Sequence, residues 1–452
     1  MARSHVSAVL LAASLLLTAC SEAKTPTEPT AKFLALSPRG QNLAIYDAFV
    51  EHLEDHYFDP KLLESAEWRA RFAEYRQKAA SAPDRLSLYN YVLFPLPEKF
   101  PQSHVSVTMP EKMPLAPTSS PDVTAAKVTA PNPAEIDRMT ALSRGGPGFD
   151  YVRIRRGTIF NFTVGDVIKG SLAERHGITP GWVIDSLSVG PEAGEYKLKA
   201  KFLRFTPKEA RDYERAFGWT PEGIKTLEEL EALKAALGVE VAYDCELLPT
   251  RAPFETRQLD GGVTYLRFDD FQDPALHERV LSAIDHAGAA GLIVDLRHNS
   301  GGLTTHTEQV LGRLIGNDAY IGTHRRGWLV RNWRTPKKGP VYSGPLAVII
   351  GPSSASAAEI TAAAVLDNKR GRILGRMSNG SVLTSQQFPL PDGGIVHVPI
   401  MDFVRGGDRR IEGVGVEPDI WILPSLEDVR AGRDPVLERA LAEISKSGPG
   451  AS

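Results

Sequence analysis

Cysteine is scarce in this chain: Cys20 and Cys245 are the only two among 452 residues, which leaves room for at most one disulfide. An excess of either charge is missing too. Lys and Arg number 52 against 55 Asp and Glu, for a formal charge of -3, and the basic residues are spread along the chain. That gives no electrostatic footprint for nucleic acid, and no nucleic-acid partner is expected. The apolar run near the start, Val6 to Leu17, is too short to span a bilayer as a mature helix. What remains is an ordinary globular composition, 42% hydrophobic and 24% charged, long enough for two or three domains with sizeable cores.

The first twenty residues read as an address. Arg3 precedes the apolar run, which stops at Leu17-Thr18-Ala19-Cys20, and small residues before a Cys mark a cleavage site. The stretch resembles a bacterial lipoprotein signal, which implies that Cys20 is the lipidated first residue of the mature chain. Ser21 then resembles the outer-membrane default, with the protein facing the periplasm. With Cys20 acylated, Cys245 has no partner and no internal disulfide is expected. Residues 21–32, rich in Thr, Pro, Lys and Glu, read as a tether.

Beyond the tether, apolar residues recur at helical spacing, with Leu43, Tyr46, Phe49, Val50 and Leu53 on one face and Trp68, Phe72 and Tyr75 on another. We expect a helical region over 33–110. Residues 111–149, crowded with Pro, Thr, Ser and Ala, suit a linker or long loop. From 150 to 250 short strands take over. "VGDVIKGSLAERHGITPGWVIDSL" supplies two strands around a short helix, an order that resembles a PDZ domain. A second helix is marked by Thr226 and Glu229 as a capping box, and Gly238 as its stop. Residues 190–225 exceed what a PDZ fold needs and are read as an insertion. Such domains bind chain ends by strand addition, although "GTIFNF" stands where the carboxylate-binding glycine loop is expected.

From 251 to 425, strand-length apolar runs ("VTYLRF", "GLIVDLR", "PLAVIIG", "RILG") alternate with helical stretches, which predicts an α/β core with a largely parallel sheet. Residues 426–452 are expected to form a C-terminal helix and tail. In such sheets the chemistry gathers beyond the carboxyl ends of the strands. One strand runs into "DLRHNSGG", where Asn299, Ser300, Gly301 and Gly302 form a turn whose backbone N–H groups are free to face an anion. Another runs into "GPSSASAAEI", which puts Ser356 at a helix start, where the positive dipole end favours an alkoxide or oxyanion. Taken alone, a Ser at a helix N-terminus is most often a cap.

Taken in order, "DLRHNSGG", "SSASAAEI", "ILGRMSNGS" and "IEGVGVEPDI" resemble the signature of the C-terminal-processing, or tail-specific, serine peptidases, over roughly residues 150–423. The resemblance implies that Ser356 is the nucleophile, that the oxyanion hole uses the N–H of Ala357 and of Gly301 or Gly302, and that Asp367 is a supporting acid. It implies no metal and no organic cofactor. The Lys of the Ser-Lys members belongs 25 positions after the nucleophile, and Ser381 stands there. A hydroxyl cannot replace a desolvated amine as general base, so another base is needed.

Among the eleven histidines, His298 and His306 lie near the glycine turn, and His397 in a strand reads as structural. His104, in "FPQSHVSV", is different. A second branch, the tricorn core and retinoid-binding-protein-like members, resembles this chain in a helical N-terminal region that ends in a short His-bearing segment. That likeness implies His104 as base, with Ser103 and Glu412 completing a relay. The expected protein is a lipid-anchored, exported serine endopeptidase acting on polypeptides near their C-termini. The competing expectation is a peptide- or ligand-binding protein on the same fold.

Overall fold

The structure is a computed structural model that describes residues 28–110, 148–156, 159–192, 195–215, 232, 235–244 and 251–446. The signal at 1–20, Cys20, Cys245, most of the linker and the capping box at Thr226 and Glu229 lie outside the described residues. Among the described residues, no helix is long and apolar enough to cross a membrane.

The N-terminal part is helical. Its two long helices are α1 (Pro38–His56) and α2 (Ala66–Ser81), each opened by a Ser whose Oγ accepts from a first-turn N–H, Ser37 from Gly40 and Ser65 from Trp68. Tyr46, Phe49 and Leu53 of α1 meet Trp68, Phe72 and Tyr75 of α2 in one core. A short strand, β1 (Ser106–Thr108), leads out of this region.

Residues 148–244 form a five-stranded antiparallel sheet of β2 (Phe149–Arg156), β3 (Ile159–Val167), β4 (Val183–Glu192), β5 (Glu195–Leu203) and β6 (Gly238–Asp244), ordered as in the sequence. The short helix α3 (Leu172–Arg175) lies between β3 and β4. Phe149, Val164, Ala173, Ile184 and Phe202 share its core. Of the stretch read as an insertion, 190–225, the described residues are 190–192 and 195–215. Residues 190–192 and 195–203 are arms of the β4–β5 hairpin, with 197–203 paired on both sides, and α4 (Pro207–Arg215) follows. The alternation of Lys with apolar residues in "YKLKAKFL" carries this strand signal.

The third part holds β7 (Phe254–Gln258), β8 (Thr264–Phe268), α5 (Pro274–Asp285), β9 (Leu292–Asp295), α6 (Thr304–Ile315), the hairpin β10 (Tyr320–Arg326) and β11 (Leu329–Arg334), β12 (Leu346–Ile350), α7 (Ala357–Asp367), β13 (Arg372–Gly375), β14 (Thr384–Pro389), β15 (Ile395–Arg405), β16 (Arg409–Arg410), β17 (Ile420–Trp421), and the C-terminal helices α8 (Leu426–Ala431) and α9 (Pro435–Lys446). One sheet has the order β17-β13-β12-β9-β8-β7. Its pairs are parallel from β17 to β8, and β7 joins antiparallel. Val294, Val348 and Ile350 face α6 and α7, while Ile293, Ala347 and Ile349 face Val436, Ala440 and Ile444 of α9. Burial on both faces explains why these strands are continuous apolar runs.

The other sheet is built on the eleven-residue β15, which pairs with β1, β10, β14 and β16. Val396, Val398 and Ile400 of β15 share the core of α1 and α2. Strand β1 joins at Ser106↔His397, so His104 is held two residues from a fixed register.

At the end of β9, Arg297 donates to buried Asp295 and, through Nη2 at 2.6 Å, to Asp434. Asp434 also accepts from the first-turn N–H groups of α9. Removing one partner of a buried pair leaves an uncompensated charge, at a cost of about 3–5 kcal/mol. Arg297→Ala is therefore expected to lower unfolding stability in urea by about that amount. A change below about 1 kcal/mol would show that the pair does not hold α9 to the sheet.

Candidate active site

Ser356 sits where β12 turns into α7. Its φ of 54° and ψ of -116° are not the extended geometry of an ordinary cap. A non-glycine residue there carries strain on the order of 1–3 kcal/mol and persists only where neighbours hold it. The neighbours are explicit. Ser356 N–H donates to Ser381 O at 2.8 Å and to Glu359 Oε2 at 3.1 Å, and Ala355 N–H donates to Asn299 O at 3.0 Å.

Glu359 is fully buried. It also accepts from Ser378 Oγ and from the N–H groups of Gly380 and Ser381. Burial pushes its carboxyl up to about 7, against those hydrogen bonds. The sequence reading missed this residue, although Ser356-x-x-Glu359 has the spacing of a capping box.

The glycine turn packs directly against this corner. A Cβ on Gly301 would lie 2.6 Å from Ser356 Cβ, and one on Gly302 would lie 2.5 Å from the Phe271 carbonyl carbon, so both positions require glycine. The two are not equivalent as donors. Gly301 N–H is donated to Asn299 Oδ1 at 2.9 Å, which removes it from the expected oxyanion hole. Gly301 O and Leu303 N–H bond Phe271, so Gly302, between them, turns its own N–H the other way. Gly302, Ala357, Ser356 and His104 line one cleft of about 230 Å³.

His104 reaches that cleft from the N-terminal region, itself in the left-handed conformation at φ 67°. Its Nδ1 lies 2.5 Å from Ser103 Oγ. Ser103 Oγ donates to Glu412 Oε2 at 3.0 Å, and Ser103 N–H donates to Glu412 Oε1 at 2.7 Å. Val382 N–H is the third donor to Glu412, at 2.8 Å. Because the Ser103 hydroxyl proton is committed to Glu412, Nδ1 must carry the imidazole proton, which leaves Nε2 as the basic nitrogen. Burial raises the Glu412 carboxyl, against the pull of the Ser103 and Val382 donors.

Other residues singled out from the sequence stand elsewhere. Asp367, at the far end of α7, pairs with Arg405 and Arg409 and caps Gly406 N–H. Eleven residues of helix, about 16 Å at 1.5 Å per residue, separate it from Ser356, so it braces β15 and not the cleft. Ser381 supports Ser356 through its backbone carbonyl, while its hydroxyl donates to Asn379. His306 stacks on His277 and contacts Phe271 O through Nδ1. His397 lines the cleft beside His104.

His298 turns away from the cleft. Its two nitrogens face Asp150 at 3.4 Å and Asp166 at 2.9 Å. These three are the one cluster with metal-ligand chemistry among the described residues. Both ring nitrogens are occupied by carboxylates, though. Burial opposes ionisation of Asp166, but His298, Arg297 and Arg376 hold it well below the usual range. That is the environment of an ion pair.

This geometry meets an independent likeness. The family model described as Peptidase family S41 matches residues 262–422. Residues 262–422 are similar to peptidase family S41. Carboxyl-terminal-processing peptidase 1 of Arabidopsis thaliana, a chloroplastic protein, is 30% identical over 187 residues, 40% of this chain and 38% of the relative. The carboxyl-terminal-processing protease of Picosynechococcus sp. is 28% identical over 159 residues, 35% of this chain and 38% of the relative. The chain thus spans about two fifths of the length of the first curated relatives it matches. Among solved structures, the photosystem II D1 C-terminal processing protease shares the fold with a TM-score of 0.52 at 17% identity, over 91% of this chain and 98% of that one. Ser103 and His104 lie outside the matched S41 segment, whereas Ser356 and Glu412 lie within it.

The wall of the cleft desolvates the His104 ring and pushes its pKa down to about 4. The ring is thus neutral at pH 7 and gains its proton only as pH falls through about 4. A side-chain NMR titration is expected to find this midpoint well below the ordinary value near 6.5. A midpoint at or above 6.5 would contradict the desolvated setting.

Proposed function

We propose that this chain is a serine endopeptidase that cleaves polypeptides near their C-termini through an acyl-enzyme. The observation that carries the reading is the contact chain Glu412–Ser103–His104, which ends on the cleft that Ser356 also lines. His104 Nε2 takes the Ser356 Oγ proton as Oγ attacks the substrate carbonyl carbon. The tetrahedral oxyanion is met by the N–H groups of Gly302 and Ala357 at the positive end of α7. Collapse breaks the C–N bond, and His104 returns the proton to the leaving amine. Water, deprotonated by the same ring, then releases the acid and frees Ser356. Ser103 and Glu412 hold the ring in the useful tautomer, so no Lys is needed at the position of Ser381.

The substrate class follows from the names of the relatives, which are C-terminal-processing proteases. A PDZ-like role for residues 148–244 is supported by five antiparallel strands with a short helix between the second and third of them, β3 and β4. Export and a lipid on Cys20, facing the periplasm from the outer membrane, rest on the Leu-Thr-Ala-Cys signal in the sequence. The second reading, a binding protein without turnover, draws on the same cleft and loses ground to the base beside it.

The test is covalent labelling by a fluorophosphonate of the chain from residue 21, followed by mass spectrometry. Label is expected on Ser356. His104→Ala should slow it by about 10²–10⁴, Glu412→Gln should slow it less, and His397→Ala should leave it near the unsubstituted rate. A folded sample that takes no label anywhere would give first place to the binding protein. Labelling that survives His104→Ala but not His397→Ala would move the base to His397.

A further inference from the structure

Between Asp318 and Glu359 the chain contains no acidic residue, and Arg325 to Val341 holds six Lys or Arg. Part of this stretch forms the β10–β11 hairpin, whose last pair is Arg326↔Leu329, leaving Gly327 and Trp328 at the tip. Trp328 is 83% exposed and Val330 58%. The other tryptophans among the described residues are buried or half-buried. The hairpin does have a protein-facing side. Leu329 packs against the N-terminal core, Arg326 donates to Asp55 O, and His324 and Trp333 are buried. Val330 lies opposite Arg325 on the outward side, and β11 is the edge of its sheet. Arg331, Arg334, Lys337 and Lys338 are all exposed. Asp408 pairs with Arg325, and Arg334 donates to the Asp318 carbonyl.

We infer that this tip docks on an anionic phospholipid surface, with Trp328 and Val330 entering the headgroup boundary and the four exposed cations meeting lipid phosphates. An indole ring favours the boundary between hydrocarbon and water, and clustered Lys and Arg are drawn to anionic headgroups. A protein partner suits the tip less well. Two apolar side chains on a convex turn cover far less than the 1,000 Å² or so of a stable protein interface, whereas a lipid surface yields around an inserted ring. The attraction is local, because the chain as a whole is slightly negative. On this hairpin Trp333, a wall of the cleft, stands five residues from Trp328, about 17 Å along an extended strand. Docking therefore sets the height of the cleft above the membrane, whether or not Ser356 turns over substrate.

The experiment is vesicle sedimentation of the chain from residue 21, which keeps every described element and lacks Cys20. Vesicles of phosphatidylcholine with 30% phosphatidylglycerol, about a third anionic lipid, are compared with phosphatidylcholine alone at low and high salt. Binding is expected only to the anionic vesicles and is lost in high salt. Trp328→Ala should weaken it several-fold, and Arg331→Gln with Lys337→Gln and Lys338→Gln about fivefold per cation removed. All variants should keep the circular dichroism spectrum. Absence of binding by the unsubstituted chain, or equal binding by Trp328→Ala, overturns the proposal. So does concentration-dependent dimerisation that Trp328→Ala abolishes, which would make the tip an interface between copies.

Discussion

The carboxylate of Glu412 is where three separated stretches of chain meet. It accepts from the backbone and hydroxyl of Ser103 at the end of the helical region and from Val382 N–H after β13, and it stands itself in the turn before β17. A carboxylate buried this deeply is costly unless its oxygens are filled, and here Oε1 takes one donor and Oε2 two. The same bonds fix where Ser103 lies, hence where the next residue points its imidazole. Alignment of His104 is thus a by-product of satisfying a buried charge. The ring needs no other clamp than the β1 pairing two residues on.

The Ser356 corner obeys the same logic with a second carboxylate. Glu359 gathers four donors, one of them the N–H of Ser356. The unfavourable backbone of Ser356 is held between this carboxylate, the Ser381 carbonyl and the glycine turn. Strain of this kind survives only where the surroundings over-determine it. Here the surroundings are a parallel sheet buried on both faces.

Much of this was legible in the sequence, because continuous apolar runs announce buried parallel strands and because glycine at 301 and 302 has no substitute at such close approach. Ser103, His104 and Glu412 were reached only through resemblance. Nothing in their spacing brings residues 309 apart together. What stayed hidden was directional. Sequence cannot say which of two adjacent glycines has its N–H taken by Asn299, nor that Asp367 looks toward Arg405 and Arg409 from the wrong end of α7. The β5 arm of the β4–β5 hairpin is marked by the alternation within "YKLKAKFL".

That His104 lies outside the segment matched to the S41 family has a consequence for the making of the protein. During synthesis the imidazole emerges first, the serine some 250 residues later, and the carboxylate that orients the ring later still. Closing so long a loop carries an entropic cost that only the finished core offsets. On the proposed chemistry, a chain still being translated therefore holds a nucleophile without a poised base. On the same proposal, competence arrives only when α1 and α2 settle on β15, so that the hydrolase stays silent while its own unfolded segments are within reach.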